Sequence, residues 1–216
     1  MHTLRKKFLR CTAPIHEMVR SQKVDIFMGL LKGDLSGSLL DVGGDAGITG
    51  EFFRLYSAFK NVTVTNISMP NHLLASKMTS RPDIVIGDGC SLPLGTKSFD
   101  WVFSNAVIEH VGGWERQKLF ADEIRRVSRK GYFVTTPNRY FPIEPHTYLP
   151  FYQFLPAVVQ RKVIRLAPAW VHDYASAQEI DLLSPKQLRE LFPEAQVMKV
   201  GVPVVPNSLI ACYCAS

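Results

Sequence analysis

The sequence predicts a doubly wound α/β sheet of seven strands, the last one antiparallel, and three observations predict it. Leu39-Leu40 leads into Asp41-Val42-Gly43-Gly44-Asp45-Ala46-Gly47 and then into a helical stretch from Ile48 to Phe59. A glycine turn between strand and helix lets the backbone approach a ligand closely, and the helix start presents free N–H groups to it. Strand-like and helical runs then alternate as far as Thr136, which implies parallel pairing through right-handed crossovers. Beyond a long insertion, a helix and two strand-like runs close the chain. With 216 residues and 46% hydrophobic content, the chain suffices for one well-buried domain and not for two.

Residues 1–37 read as a helical lead-in, with Ile15, Met18, Val19, Ile26, Phe27, Leu30 and Leu31 at helical spacing. Gly33-Asp34-Leu35-Ser36-Gly37 ends it. Ser38–Val42 is a short buried strand, and Asn61–Ile67, rich in β-branched residues, is the second. Pro70–Ser80 reads as a helix, Asp83–Gly87 as the third strand and Phe99–Ser104 as the fourth. Trp114–Ser128 forms a helix with Leu119, Phe120, Ile124 and Val127 on one side, followed by a fifth strand at Gly131–Thr136. There the rhythm stops.

Residues 137–183 form an insertion rich in proline and aromatic residues, with one helix around Ala157–Leu166. A loop of that length in a compact fold is functional or disordered, and the aromatic content argues against disorder. Ser184 then caps a helix, with Pro185 at its first position and Gln187 completing a capping box. Ala195–Val200 and Leu209–Cys214 are the two closing strands. The single domain thus divides into a lead-in (1–37), a core (38–136), a lid (137–183) and a closing unit (184–216).

Lys and Arg number 25 against 19 Asp and Glu, a formal charge of +6. The basic residues gather at Arg5–Arg10 and at Arg161, Lys162 and Arg165 rather than along one stripe. They do not alternate with aromatics as in a single-strand RNA binder, so nucleic acid is not the expected partner. Arg5–Arg10 is suited to resting on an anionic membrane face. No apolar window approaches the length of a membrane helix, and no apolar core or cleavage site follows the basic N-terminal run. Cys11, Cys90, Cys212 and Cys214 form neither a disulfide framework nor a zinc spacing. The expected location is the cytoplasm, at the inner membrane face if the basic segment docks there.

Four features, in order, resemble the class I S-adenosylmethionine-dependent methyltransferases of the type 11 kind. They are the Asp41-x-Gly43-x-x-x-Gly47 turn, the strand ending Asn66-Ile67-Ser68, Gly87-Asp88-Gly89 with Leu92-Pro93, and Ser98-Phe99-Asp100 leading to Glu109-His110-Val111. The resemblance covers Leu39–Thr136 and implies a Rossmann-like fold with S-adenosylmethionine as cofactor. It implies Asp41, Gly43, Gly44 and Gly47 at the methionine part, and Asn66 with Ile67 at the ribose. Asp88, Gly89 and Cys90 would serve the adenine, and Asn105 with Ala106 would line the mouth where the methyl group points. Two positions depart from the pattern. Asp45 stands where a glycine is common, and Asn66 where a carboxylate accepts from both ribose hydroxyls; an amide oxygen accepts without charge assistance. Gly43-Gly44-Asp45-Ala46-Gly47 is not Gly-x-Gly-x-x-Gly, which excludes a dinucleotide oxidoreductase.

Thr136–Thr147 further resembles a subgroup of bacterial methyltransferases found in surface-polysaccharide and related biosynthesis. The string begins on the carboxyl edge, where open α/β sheets bind ligands. Arg139, Tyr140 and Phe141 are the expected substrate contacts, and His110, Glu144 and His146 the expected acid–base residues. Arg139 and Glu144 are also placed to pair and fasten the lid. The expected reaction is methyl transfer to a small molecule or glycan at a hydroxyl oxygen. N- or C-methylation of a metabolite is one alternative, and a non-catalytic or partner-dependent cofactor-binding module is another. Strand four runs into Ser104-Asn105-Ala106-Val107 rather than Asn/Asp-Pro-Pro-Tyr, which disfavours nucleobase chemistry. Glu109-His110 resembles the end of the Glu-x-x-Glu-His that holds a divalent metal in some O-methyltransferases. Here Ala106 takes the first carboxylate position and Gly113 that of a further histidine. Two adjacent ligands make a poor site, so no metal is expected.

Overall fold

Strand β1 (Ser38–Val42) lies inside the sheet, paired in parallel with β2 (Asn61–Asn66) on one side and β4 (Phe99–Asn105) on the other. In this computed structural model, residues 17–44, 51–69, 82–167, 180–201 and 204–215 are described. β3 (Asp83–Ile86) extends the sheet beyond β2, and β5 (Ser128–Pro137) extends it beyond β4, both in parallel. β7 (Ser208–Cys214) runs antiparallel to β5, and β6 (Gln196–Val200) antiparallel to β7. The seven strands are ordered β3-β2-β1-β4-β5-β7-β6, as the doubly wound reading requires. Strand order reverses between β1 and β4, the point where open α/β sheets form a ligand crevice.

Both faces of the sheet are covered, so the middles of its central strands, Leu39-Leu40, Trp101-Val102-Phe103 and Tyr132-Phe133-Val134, are apolar on consecutive residues rather than alternating with polar ones. A helix over 17–30 (α1) and α2 (Glu51–Ala58) cover one face, where Phe27, Leu39, Leu55, Val64, Trp101, Phe103 and Phe133 are buried together. The Phe103 and Phe133 rings stack at 5.8 Å, and Phe27 packs on Phe133 at 5.1 Å. The other face carries α3 (Gly113–Val127) and α5 (Pro185–Leu191), with Leu40, Val102, Phe120, Ile124, Val134, Leu188 and Phe192 between them. Successive residues Leu39 and Leu40, Trp101 and Val102, and Phe133 and Val134 thus enter opposite cores, as the two-residue strand period dictates.

Several local expectations shift. Met18 and Leu119 are 43% and 50% exposed rather than buried. The buried stripe of α1 is Val19, Lys23, Val24 and Phe27, continued by Leu31 in the turn beyond it, and that of α3 is Gln117, Phe120, Ala121, Ile124 and Val127. Leu119 falls on the opposite side of that helical wheel. β5 begins at Ser128, directly at the end of α3 and earlier than expected, because Ser128 pairs with Phe99 and Arg129 forms an ion pair with Asp100 at 3.0 Å. α4 (Ala157–Leu166) and the capping box at Ser184 are as expected, with Gln187 N–H donating to Ser184 Oγ at 3.3 Å and Ser184 N–H to Gln187 Oε1 at 3.0 Å.

The insertion is stitched to the sheet edge at both ends. Asn138 is buried, its N–H donates to the Asn207 carbonyl at 2.9 Å, and its side-chain amide to Pro206 at 2.8 Å. At the far end, Asp181 N–H donates to the Glu109 carbonyl at 2.9 Å, and the buried Gln117 amide donates to the Asp181 carbonyl at 2.8 Å. Among the described residues, no helix is long and apolar enough to cross a membrane. The expected helix at Pro70–Ser80, the Arg5–Arg10 segment, Asp45 and Gly47 lie outside the described residues.

Candidate active site

A cavity of about 440 Å³ opens at the carboxyl ends of β1 to β4, a size suited to a small-molecule cofactor (~300–1,000 Å³). Gly43, Asn66, Ile67, Asp88 and Gly89 line it, together with Ala106, His110 and Arg116. Gly43 has φ 78° and donates its N–H to the Thr65 carbonyl at 2.7 Å. A Cβ there would lie 2.5 Å from Val107 Cγ2, so both backbone conformation and space call for glycine.

Asn66 spans from the end of β2 to that turn. Its Nδ2 donates to the Gly44 carbonyl at 3.1 Å, while its Oδ1 accepts from Ile67 N–H at 2.8 Å. A carboxylate has no donor for Gly44, which gives the amide at this position a physical reason. Asp41 sits beneath the turn and does not line the cavity. It accepts from the Tyr56 hydroxyl, a Cβ on Gly44 would meet its Oδ2 at 2.4 Å, and burial pushes its carboxyl up to about 7.

Asp88 accepts from Arg116 Nη2 at 2.7 Å and from Cys90 N–H at 2.9 Å, and the Arg116 guanidinium holds its carboxyl below the usual range. The Cys90 N–H, expected at the adenine, is therefore engaged by Asp88. The Cys90 thiol donates to the Arg116 carbonyl at 3.3 Å, and burial pushes it up to about 11, so it is a packing group rather than a nucleophile. Arg116 escaped the sequence reading. The mark it leaves there is a cation in the first turn of a helix, against the macrodipole.

Asn105 turns its Oδ1 away from the cavity lining, accepting from Thr135 Oγ1 at 2.8 Å and from Lys23 Nζ at 3.2 Å. Burial lowers the Lys23 ammonium to about 8. Ala106 lines the cavity instead, held at φ 56° in the left-handed region, a strain that collects at functional sites.

His110 ends a single 3-10 turn, Ile108–His110, that follows β4. Its ring meets that of His146 edge to face, centroids 4.9 Å apart. His146 Nδ1 lies 2.7 Å from Glu144 Oε1, and Glu144 also accepts from the N–H groups of His146 and Thr147. Burial opposes the Glu144 charge, but those hydrogen bonds outweigh it and hold the carboxyl below its ordinary value. Burial and the neighbouring His146 drop His110 to about 4, leaving its ring neutral. Glu109 is fully buried, accepts from Thr136 Oγ1 at 3.0 Å, and is pushed up to about 7 by that burial.

The three expected acid–base residues therefore meet. The expected substrate contacts do not join them: Arg139 and Tyr140 are exposed, and Phe141 is half-buried outside the cavity lining. Glu144 pairs with His146 rather than with Arg139. The expectation of no metal rested on Glu109 and His110 alone, and the fold adds His146 to them. One possible ligand atom from each of the three lies within 4.8 Å of the others.

The sequence model of a methyltransferase domain family matches residues 40–135, the span that builds this cavity. Solved structures share the fold over nearly the whole chain. An S-adenosylmethionine-dependent methyltransferase from Mesorhizobium loti aligns with a TM-score of 0.62 and 11% identity, over 87% of this chain and 95% of that one. The 1,6-didemethyltoxoflavin-N1-methyltransferase of Burkholderia thailandensis, solved with S-adenosylhomocysteine, gives 0.61 and 14%, over 97% and 85%. The PH0226 protein of Pyrococcus horikoshii gives 0.59 and 16%, over 98% and 91%. A comparison with curated proteins finds no match. With the glycine turn, Asp88 and His110 around one cavity at the switch point of this sheet, residues 40–135 match the methyltransferase domain family, and the chain shares the fold of solved S-adenosylmethionine-dependent methyltransferases.

Proposed function

We propose that the chain methylates a hydroxyl oxygen of a small-molecule or glycan acceptor seated between the cofactor cavity and the insertion. One observation carries this reading: His110, a wall of the cavity, touches His146, which Glu144 orients from the insertion. A sulfonium methyl is already electrophilic, so alignment of acceptor and methyl supplies most of the rate. An amine attacks with its own lone pair, whereas a hydroxyl must also lose a proton. A half-buried edge of two imidazoles with a buried carboxylate behind them is the equipment for that extra task. His110, held neutral, is too weak a base for it and serves to orient the acceptor. Glu144 fixes the His146 tautomer by accepting from Nδ1. Glycans are the first acceptors to screen, because Thr136–Thr147 resembles enzymes of surface-polysaccharide biosynthesis.

The test incubates the protein with ¹³C-methyl cofactor and a panel of glycans, hydroxylated metabolites and amines. The expected product is a methyl ether, recognised by its carbon shift, and Glu144→Gln should lower kcat by about 10²-fold or more with cofactor affinity unchanged. Products methylated at nitrogen alone would overturn the assignment.

A further inference from the structure

We propose that Glu109, His110 and His146 form a binding site for a divalent transition-metal cation that holds the acceptor's hydroxyl oxygen. The inference rests on the hydroxyl-methylation reading above and says how the hydroxyl is made acidic. The donor groups come from two separate parts of the chain. Glu109 and His110 leave the end of β4 on one turn, and His146 arrives from the insertion, so that a ligand atom from each lies within 4.8 Å of the others. Closing by roughly an ångström would bring all three to ligating distances of about 2.0–2.2 Å from one centre.

An independent observation points the same way. Glu109 is fully buried, and among the described residues its Oε1 has no hydrogen-bond partner; nor has His110 Nδ1. Leaving a buried carboxylate oxygen unsatisfied costs free energy that a cation would remove. That oxygen is aimed at the cluster, 3.9 Å from His110 Nε2. Two of the three ligands, Glu109 and His146, also have outer partners. Thr136 Oγ1 holds the second oxygen of Glu109 at 3.0 Å, and Glu144 holds His146 Nδ1 at 2.7 Å. A carboxylate behind a histidine fixes the proton on Nδ1 and directs the Nε2 lone pair forward, the usual backing of a metal-bound imidazole.

Two imidazoles and one carboxylate suit manganese, iron(II), cobalt, nickel or zinc better than calcium or magnesium, which favour all-oxygen sites. Three protein ligands leave coordination positions open. His110 also lines the cofactor cavity, which places that open side next to the reacting methyl. The acceptor oxygen would bind there and release its proton to solvent. Its lone pair would then form the O–CH₃ bond while the C–S bond breaks and its electron pair stays on sulfur. The products are a methyl ether and S-adenosylhomocysteine.

The test titrates chelator-stripped full-length protein with Co²⁺ and with Zn²⁺ by calorimetry, recording the visible spectrum of the cobalt form. Cofactor binding by each sample reports its folding, except for Asp88→Ala, whose folding is followed by circular dichroism. The wild type should bind one equivalent and colour with Co²⁺. Glu109→Gln and His146→Ala should bind at least about a hundredfold more weakly, and Glu144→Gln, which alters only the backing of His146, roughly 10–100-fold more weakly. Asp88→Ala should lose the cofactor and keep the metal. Wild type that binds the cofactor but takes up no stoichiometric metal would overturn the proposal, as would undiminished binding in both Glu109→Gln and His146→Ala. A metal-binding protein that methylates only nitrogen would sink the hydroxyl reading and leave the site standing.

Discussion

At the scale of single residues, two polar groups under the glycine turn do separate work. Asn66 donates to the Gly44 carbonyl, so Asn66→Asp places a carboxylate against that carbonyl and removes the donor. The variant should lose about 1 kcal/mol of stability in urea unfolding, the worth of one such bond. Asp41 allows a pH experiment. Its folded-state carboxyl is raised from 3.8 to about 7 by burial, so the folded chain binds this proton more tightly than the unfolded chain. Its contribution to stability is therefore complete below about pH 4 and lost as pH rises through about 7. Unfolding of wild type and Asp41→Asn across that window should show the wild type losing ground, by at most about 4 kcal/mol at ~1.4 kcal/mol per unit. Parallel profiles would mean that burial does not tax this charge.

At the scale of elements, what the sequence revealed depended on how local the cause was. The capping box at Ser184 is written in four consecutive residues, and it formed as read. Ser184→Ala should lower stability by about 1 kcal/mol, measured by thermal unfolding, with activity unchanged. The start of β5 was harder to see. Ser128-Arg129-Lys130 is polar and continues a helical run, and it becomes strand because β4 offers it a partner. Leu119 shows the same limit. Apolarity placed it on the buried side of α3, but the packing of α3 on the sheet selects a stripe through Gln117 instead. Gly131 carries no turn signal; it is glycine because a Cβ would meet the Tyr213 carbonyl oxygen at 2.3 Å across the sheet.

At the scale of the whole molecule, the sheet order was legible because alternation of strand and helix leaves few ways to wind a chain. That Gly43, Asn66 and Asp88 line one cavity was legible for the same reason: each stands at or just past the end of a parallel strand, on the carboxyl edge of the sheet. The contacts of Asp88 with Arg116, of Lys23 with Asn105 and of His110 with His146 join elements far apart in sequence, and no local pattern encodes them. The central claim is that the cavity at the switch point holds the cofactor through Asp88. Calorimetric titration of S-adenosylmethionine into wild type and Asp88→Ala tests it most directly. The account predicts micromolar binding by the wild type, about 7–8 kcal/mol, and at least tenfold weaker binding by the variant. Equal affinities, or no binding by the wild type, would contradict it.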